Sequence, residues 1–118
     1  MDREYIDQFT QQILIDTGLN ELPEDFRNDY LKQLSYELQR RLGILAVNSL
    51  DEESYVDFRK LIRQNPSRDL FSVAGFFKKR IPHFHELMIK GLLEFKAEIS
   101  EEARELRSIK REAPVEAL

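Results

Sequence analysis

The stretch KKRIPHF, residues 78–84, decides the fold of this chain. Three basic residues close one helical pattern at Arg80, where positive side chains favour the negative end of the helix dipole. Proline pushes the residue before it out of the α region but suits a first helical turn. A helix is therefore predicted to end near Arg80 and the next to begin at Pro82. An apolar residue followed by proline also occurs at Leu22-Pro23, where a second long helical pattern begins.

Working outward from this joint, apolar residues recur at intervals of three and four along most of the chain. This spacing is typical of amphipathic helices. We predict an all-α, single-domain bundle of about five helices, two of them long, at about residues 23–49 and 82–109, and three shorter. Residues 1–109 are predicted to form the domain, and residues 110–118 a flexible C-terminal tail.

Local signals predict several helix ends. The first helix is expected over Arg3–Thr17, because Gly18 stands where a left-handed C-terminal cap belongs. Asp51, followed by two glutamates, is the expected N-cap of the third helix. Gly43 interrupts the second helix and is interpreted as the site of a close helix crossing or of a bend.

The predicted core consists of the apolar residues that share helix faces. At these positions each side chain is one turn from the next, so the faces can pack together in the interior. The residues are Ile6, Phe9, Ile13, Leu34, Leu38, Leu42, Phe58, Leu61, Val73, Phe77, Phe84, Leu92 and Phe95.

Some apolar residues fall outside these faces. If several of them share one surface, that surface forms a partner groove or a homodimer face. They are Tyr36, Ile44, Val47, Phe71 and Phe76.

Composition excludes several catalytic arrangements. The 118 residues include no cysteine, which rules out disulfides, thiolate metal sites and a cysteine nucleophile. The four glycines are dispersed, so the sequence contains no glycine-rich loop that could bind a phosphate. No serine-nucleophile motif occurs either. The carboxylates lie on polar helix faces, where solvation gives no reason for a shifted pKa. We therefore predict that the protein is not an enzyme and uses no cofactor.

The two histidines give little support for a metal site. His83 and His85 stand two residues apart, which separates them by about 200° on a helix of 3.6 residues per turn. Metal-binding pairs on a helix stand three or four residues apart. We predict no metal ligand, and a small metal-dependent hydrolase that uses His83 and Glu86 remains a third functional hypothesis.

The sequence predicts a cytoplasmic protein without a membrane partner. No apolar run approaches the roughly 18 residues of a membrane-spanning helix. The first residues, MDRE, are too polar for a secretory signal.

Charge is unevenly distributed along the chain, whose net charge is −4. Residues 1–29 carry eight acids and two bases, a net −6, whereas residues 59–80 carry seven bases and one acid, a net +6. The two regions either lie close together and neutralise each other or form a bipolar surface that steers a partner. The residues predicted for a partner or nucleic-acid surface are Arg59, Lys60, Arg63, Arg68, Phe76, Lys78, Lys79 and Arg80.

Four short motifs carry a family resemblance over about residues 13–96. They resemble a small all-helical family, a domain of unknown function found in reduced-genome uncultured bacteria. His83 stands where that family's pattern has asparagine. The resemblance implies a compact helical domain of a bacterial protein and carries over no functional residue. The motifs are TGLxxLP at 17–23, LxxxLxxRL at 34–42, FxxL at 58–61 and IPxF at 81–84.

The leading hypothesis is a non-catalytic helical interaction module that binds a protein partner or a second copy of itself. It follows from amphipathic helices, opposed charge regions and missing catalytic motifs. The alternative is a nucleic-acid-binding accessory protein that uses the basic segment 59–80, because clustered Lys and Arg contact phosphates and exposed aromatic rings stack on bases.

Overall fold

A computed structural model describes residues 3–64 and 70–112 of the chain. Over these residues the chain forms five α-helices, one short 3-10 helix and no strand, which confirms the predicted all-α bundle. The 3-10 helix, Leu19–Glu21, connects the first two α-helices. The α-helices are α1 (Arg3–Thr17), α2 (Glu24–Asn48), α3 (Glu52–Gln64), α4 (Leu70–Arg80) and α5 (Phe84–Glu112).

Helix α5 sets the length of the molecule. Its 29 residues span about 43 Å at 1.5 Å per residue, and the molecule measures 60 × 24 × 22 Å. The helix continues through residues 110–112, and the rest of the predicted tail lies outside the described residues. Among the helices described, none combines the length and the apolar character that crossing a bilayer requires.

Two of the predicted helix signals are confirmed in detail. Gly18 adopts the left-handed conformation, with φ of 78°, at the end of α1. Asp51 caps α3, because its Oδ1 accepts a hydrogen bond of 2.7 Å from the backbone N–H of Ser54. That bond lowers the pKa of the Asp51 carboxyl, as expected for a carboxylate that accepts a backbone donor.

The joint between α4 and α5 differs from the prediction by two residues. Helix α5 begins at Phe84 and not at Pro82. His83 takes a left-handed φ of 57°, and its carbonyl accepts the Leu87 N–H at 3.0 Å. Residues other than glycine rarely adopt this conformation, although histidine does so more often than most. Pro82 therefore lies in a turn that reverses the chain, and His83 opens the helix.

The core closely matches the prediction. Of the thirteen predicted residues, Phe9, Leu61 and Phe84 are partly buried and pack against the core, and the other ten are buried. Further buried apolar residues extend the core along α1, α2, α5 and the α4–α5 turn: Leu14, Ala46, Ile81, Met88, Ile99 and Ala103.

Two threonines of α1 are also buried. The Thr10 hydroxyl donates to the carbonyl of Ile6 at 3.1 Å, and the Thr17 hydroxyl donates to the carbonyl of Ile13 at 2.8 Å. A buried hydroxyl costs stability unless it is hydrogen-bonded. These bonds one turn back along the helix satisfy both hydroxyls, and the Thr10 hydroxyl also lies 3.3 Å from the Ser35 hydroxyl of α2.

The close helix crossing lies at Gly91 and not at Gly43. A Cβ at Gly91 would come within 2.7 Å of Leu42 Cδ2 and 3.1 Å of Leu45 Cδ2. Helices α2 and α5 therefore approach each other closely at a position that has no room for a side chain. A Cβ at Gly43 would meet nothing within 4 Å, because this residue faces away from α5.

The two glycines give a matched pair of variants. We expect Gly43→Ala to raise the free energy of unfolding by about 0.5–1 kcal/mol, because glycine inside a helix is destabilising. Gly91→Ala gains the same helix propensity, but its new methyl group would collide with Leu42. This variant is therefore expected to be less stable than Gly43→Ala by about 1–3 kcal/mol. Urea unfolding of both variants measures the difference, and equal stabilities would contradict the crossing at Gly91.

Removal of the buried Leu38 side chain tests the inward face of α2. Leu38 is fully buried, at 0% exposure, so Leu38→Ala is expected to lower the free energy of unfolding by about 2–5 kcal/mol. The matched control is Leu93→Ala, since Leu93 is 60% exposed and its loss is expected to cost under about 0.5 kcal/mol. A near-neutral Leu38→Ala would contradict the assignment of this face.

Candidate functional site

The described residues form an apolar groove between α2 and the α3–α4 hairpin, with a volume of about 400 Å³. We call it the α2–α4 groove. Gln39, Arg40 and Asn48 of α2 form its polar rim. Its apolar lining consists of Gly43, Ile44 and Val47 from α2, Phe58 and Ile62 from α3, and Val73 and Phe77 from α4.

Helix α2 leaves the groove open. Gly43 offers no side chain, and a Cβ there would stand in open space. Ile44, next to it, is 48% exposed. An aliphatic side chain of this size on a surface groove gains free energy when a partner covers it, at about 25 cal/mol per Å² of apolar area buried.

A cluster of phenylalanine rings builds the opposite wall. The Phe58 and Phe77 ring centroids lie 5.2 Å apart, which joins α3 to α4. Phe77 also stacks on Phe84 at 6.1 Å, which joins α4 to α5. Such ring pairs contribute about 0.5–1.5 kcal/mol beyond the area they bury. The hairpin wall is thus fixed to the core, and the groove is preformed.

Arg80 closes the far side of the hairpin. Its Nη1 donates to Asp57 Oδ2 at 2.8 Å and lies 3.5 Å from the Ser54 hydroxyl. Its Cζ stands 4.9 Å from the centre of the Phe76 ring, within the range of a cation–π contact. Arg80 and Phe76, both predicted for a nucleic-acid surface, therefore hold α3 and α4 together.

The other predicted surface residues with described positions are divided between α3 and α4. Arg80, the last residue of α4, lies near Ser54 and Asp57 in the first half of α3, so the two helices of the hairpin are antiparallel. Arg63 lies six residues further along α3, about 9 Å away along the helix axis. All the bases of this group with described side chains are exposed, and Arg68 lies outside the described residues. Two stand at the end of α4 and three on α3: Lys78, Lys79, Arg59, Lys60 and Arg63.

The apolar residues outside the predicted core separate into two groups. Ile44 and Val47 share the α2–α4 groove, and Tyr36 is 71% exposed two turns earlier on the same helix. Phe76 packs on Phe58 at 6.0 Å, and the Arg3 guanidinium carbon lies 4.8 Å from the Phe71 ring centre. Of the five residues, Ile44 and Val47 thus share a surface, Tyr36 lies outside their groove beside α1, and the α4 residues pack on neighbouring helices.

The pKa of the Glu37 carboxyl group is shifted, although the sequence predicted ordinary pKa values for the carboxylates. Arg40 Nη2 donates to Glu37 Oε1 at 2.8 Å, and Arg41 Nε donates to the same oxygen at 3.1 Å. The hydrogen bonds from Arg40 and then Arg41 lower the pKa of Glu37 to about 2. Arg41 also pairs with Glu98 of α5. This network fixes Arg40 at the groove rim.

The charge asymmetry between the two ends of the sequence stays a prediction. Asp16, from the acidic region, pairs with Lys96 of α5 at 2.9 Å. Arg80, from the basic region, pairs with Asp57 at 2.8 Å. These two ion pairs satisfy charges of both regions through other parts of the bundle.

The groove offers binding surface and no catalytic group. Its lining contains no carboxylate, imidazole, hydroxyl or thiol, the groups that act as nucleophiles or general bases. His83, outside the groove, is exposed, with its Nδ1 3.9 Å from Glu86 Oε2. In the part of the chain that the structure describes, no group of three or more His, Asp or Glu residues could hold a metal ion.

Comparison of the chain with protein-family models, with curated proteins and with solved structures finds no match. The resemblance drawn from the four short motifs therefore stays an expectation, and the functional argument depends on the groove.

The Glu37 network predicts a pH dependence. The Glu37 pKa lies below its ordinary value of 4.5, so its stabilising contribution is complete above about pH 4.5 and is lost as the pH falls through about 2. In this window the free energy of unfolding of the native protein should fall more steeply than that of Glu37→Gln. Urea unfolding across the pH series measures both slopes.

Side-chain NMR titration of Glu37 gives the direct control. The joint substitution of Arg40 and Arg41 by glutamine is expected to return the Glu37 pKa toward 4.5, because both donors are removed. Lys90→Gln, on α5, should leave it unchanged. Titration of native Glu37 near 4.5 would contradict the network.

Proposed function

We propose that this protein is a non-catalytic helical interaction module that binds a protein partner through the α2–α4 groove. The observation that carries the proposal is the half-exposed Ile44 beside the empty side-chain position of Gly43. An apolar groove of this kind is the receptor half of helix-in-groove recognition.

The build of the groove supports the proposal. Phe58 packs on Phe77, and Phe77 packs on Phe84 of α5, so ring contacts join this wall of the groove to the rest of the bundle. A preformed groove binds without an ordering cost on its own side. The lining lacks catalytic groups, which supports recognition as its role.

The proposal is tested by a tagged pull-down from native lysate at physiological salt, with and without nuclease, read by mass spectrometry. The variant is Ile44→Glu, which places a charge in the groove at a half-exposed position that the fold tolerates. The matched control is Leu93→Glu, since Leu93 is also exposed but lies on α5, outside the groove.

We expect a protein that is retained by the native chain and by Leu93→Glu and lost with Ile44→Glu. A hot-spot residue at an interface costs 2 kcal/mol or more when altered, a loss of about thirtyfold or more in affinity. Partners retained equally by all three chains would remove the groove from the interface. Partners that are released by nuclease would instead support nucleic-acid binding through the basic residues.

A further inference from the structure

The segments that build the α2–α4 groove carry bases and no acids. Residues 38–50, which cover the second half of α2 and the two residues after it, contain two bases. Residues 58–64 of α3 and residues 70–80 of α4 contain three bases each, which makes eight in total. None of the three segments contains Asp or Glu. Glu37 and Asp57 stand next to these segments and pair with Arg40 and Arg80. Even with these two acids included, the segments around the apolar groove carry more bases than acids, on a chain with a net charge of −4.

Some of these bases are already paired and others are exposed. Arg40 is paired with Glu37, and Arg80 is paired with Asp57. Arg59 and Arg63 are exposed on α3. Arg59 stands three residues before Ile62, which lines the groove, and is its neighbour on the helix surface. Arg63 directly follows Ile62 and is turned by about 100° from it, so it flanks the lining residue.

We infer that the partner segment is an acidic amphipathic helix from another protein, an inference that rests on the proposed function. Its apolar side chains, spaced i, i+3 or i+4, and i+7, lie along Gly43, Ile44 and Val47. Its carboxylates, on the flanks of that stripe, meet Arg59 and Arg63. Positive and negative surfaces that face each other in this way select the partner and speed its association.

The dimensions of the groove fit such a segment. From Gln39 to Asn48 the groove follows nine residue steps of α2, about 13 Å at 1.5 Å per residue. Three anchors over two turns of a partner helix span about 11 Å. The missing side chain at Gly43 leaves room at the centre for the bulkiest anchor.

A second copy of this chain fits the groove less well. Its acidic helix α1 keeps Ile6 and Ile13 at 0% exposure in its own core, so an intact copy does not present that apolar face. A two-fold interface of groove on groove would join two copies of the same surface, each with the bases Arg59 and Arg63 beside it and without an acid in its lining. Like charges in contact across an interface are unfavourable.

Nucleic acid also fits less well than an acidic helix. Stacking on bases requires an open ring face, and the Phe76 ring is covered by Arg80 and packed against Phe58. The floor of the groove is aliphatic at Ile44, Val47 and Ile62, which suits apolar side chains better than bases or phosphates.

The test uses the full chain and three synthetic peptides of about sixteen residues, long enough for about four helical turns. One carries a leucine stripe at helical spacing with glutamate on the flanks. The second replaces each glutamate by lysine, and the third scrambles the acidic peptide so that the stripe is lost. Affinities are measured by fluorescence anisotropy, and the contact site is mapped by amide NMR.

We expect the acidic peptide to bind at least about tenfold more tightly than the lysine peptide and the scrambled one, because two or three partly exposed ion pairs contribute about 1.4 kcal/mol together. Arg59→Gln with Arg63→Gln should remove most of that preference, whereas Lys90→Gln on α5 should not. Raising the salt from about 0.1 M to about 1 M should also reduce it, since screening becomes stronger.

Gly43→Leu separates binding from folding. Leucine is a better helix former than glycine, and the side chain enters the open groove, so the variant is expected to keep its fold and unfold at a higher temperature. Binding of the acidic peptide should fall by about tenfold or more, since the site for the central anchor is filled. Unchanged binding by this folded variant would overturn the inference.

Other results reassign the groove. Equal binding of the acidic and lysine peptides, both lost with Gly43→Leu, would overturn the acidic partner but leave the proposed function. Concentration-dependent dimerisation that Gly43→Leu abolishes would assign the groove to a second copy. A single-stranded DNA that competes with the acidic peptide and loses affinity with Arg59→Gln and Arg63→Gln would assign the site to nucleic acid. Failure of the acidic peptide to bind would reject the inference outright.

Discussion

The close approach of α2 and α5 at Gly91 is the constraint on which the rest of the structure depends. Leu42 and Leu45 of α2 lie over the glycine, within 3.1 Å of where its Cβ would stand. This packing turns one side of α2 into the core. Because residues along a helix advance by about 100° each, it also turns Gly43, Ile44 and Val47 outward. The floor of the groove is therefore the reverse side of the helix crossing.

The outward side of α2 remains partly uncovered because the α3–α4 hairpin is anchored elsewhere. Phe77 packs on Phe84 of α5, and Arg80 ties the end of α4 back to Asp57 in the first half of α3. Both anchors lie at the α4–α5 joint. The hairpin thus reaches α2 with the sides of Val73 and Phe77, and it leaves a groove where a tighter layer of helices would have buried Ile44.

Local structure could be predicted from sequence because its causes are local. Gly18 and Asp51 act on backbone groups within three residues, so their caps can be read without knowledge of the fold. Leu38 is predicted as buried because its neighbours one turn away are also apolar. His83 could not be predicted as the residue in the left-handed conformation, since the preceding proline also permits a helix start. Thr10 escaped the prediction of the core because its burial depends on a hydrogen bond to its own helix.

The site itself depends on contacts between helices, which a single sequence reveals only in part. The pattern shows that Ile44 and Val47 are not explained by the predicted core, but their meeting with Ile62 requires the position of the hairpin. In the basic segment, by contrast, residues that lie close together in the sequence have different surroundings in the structure. Arg80 is occupied in holding the hairpin together, whereas Arg63 remains at the edge of an apolar floor. Structure thus divides a single charge cluster into a part that holds the hairpin together and a part that stays exposed beside the groove.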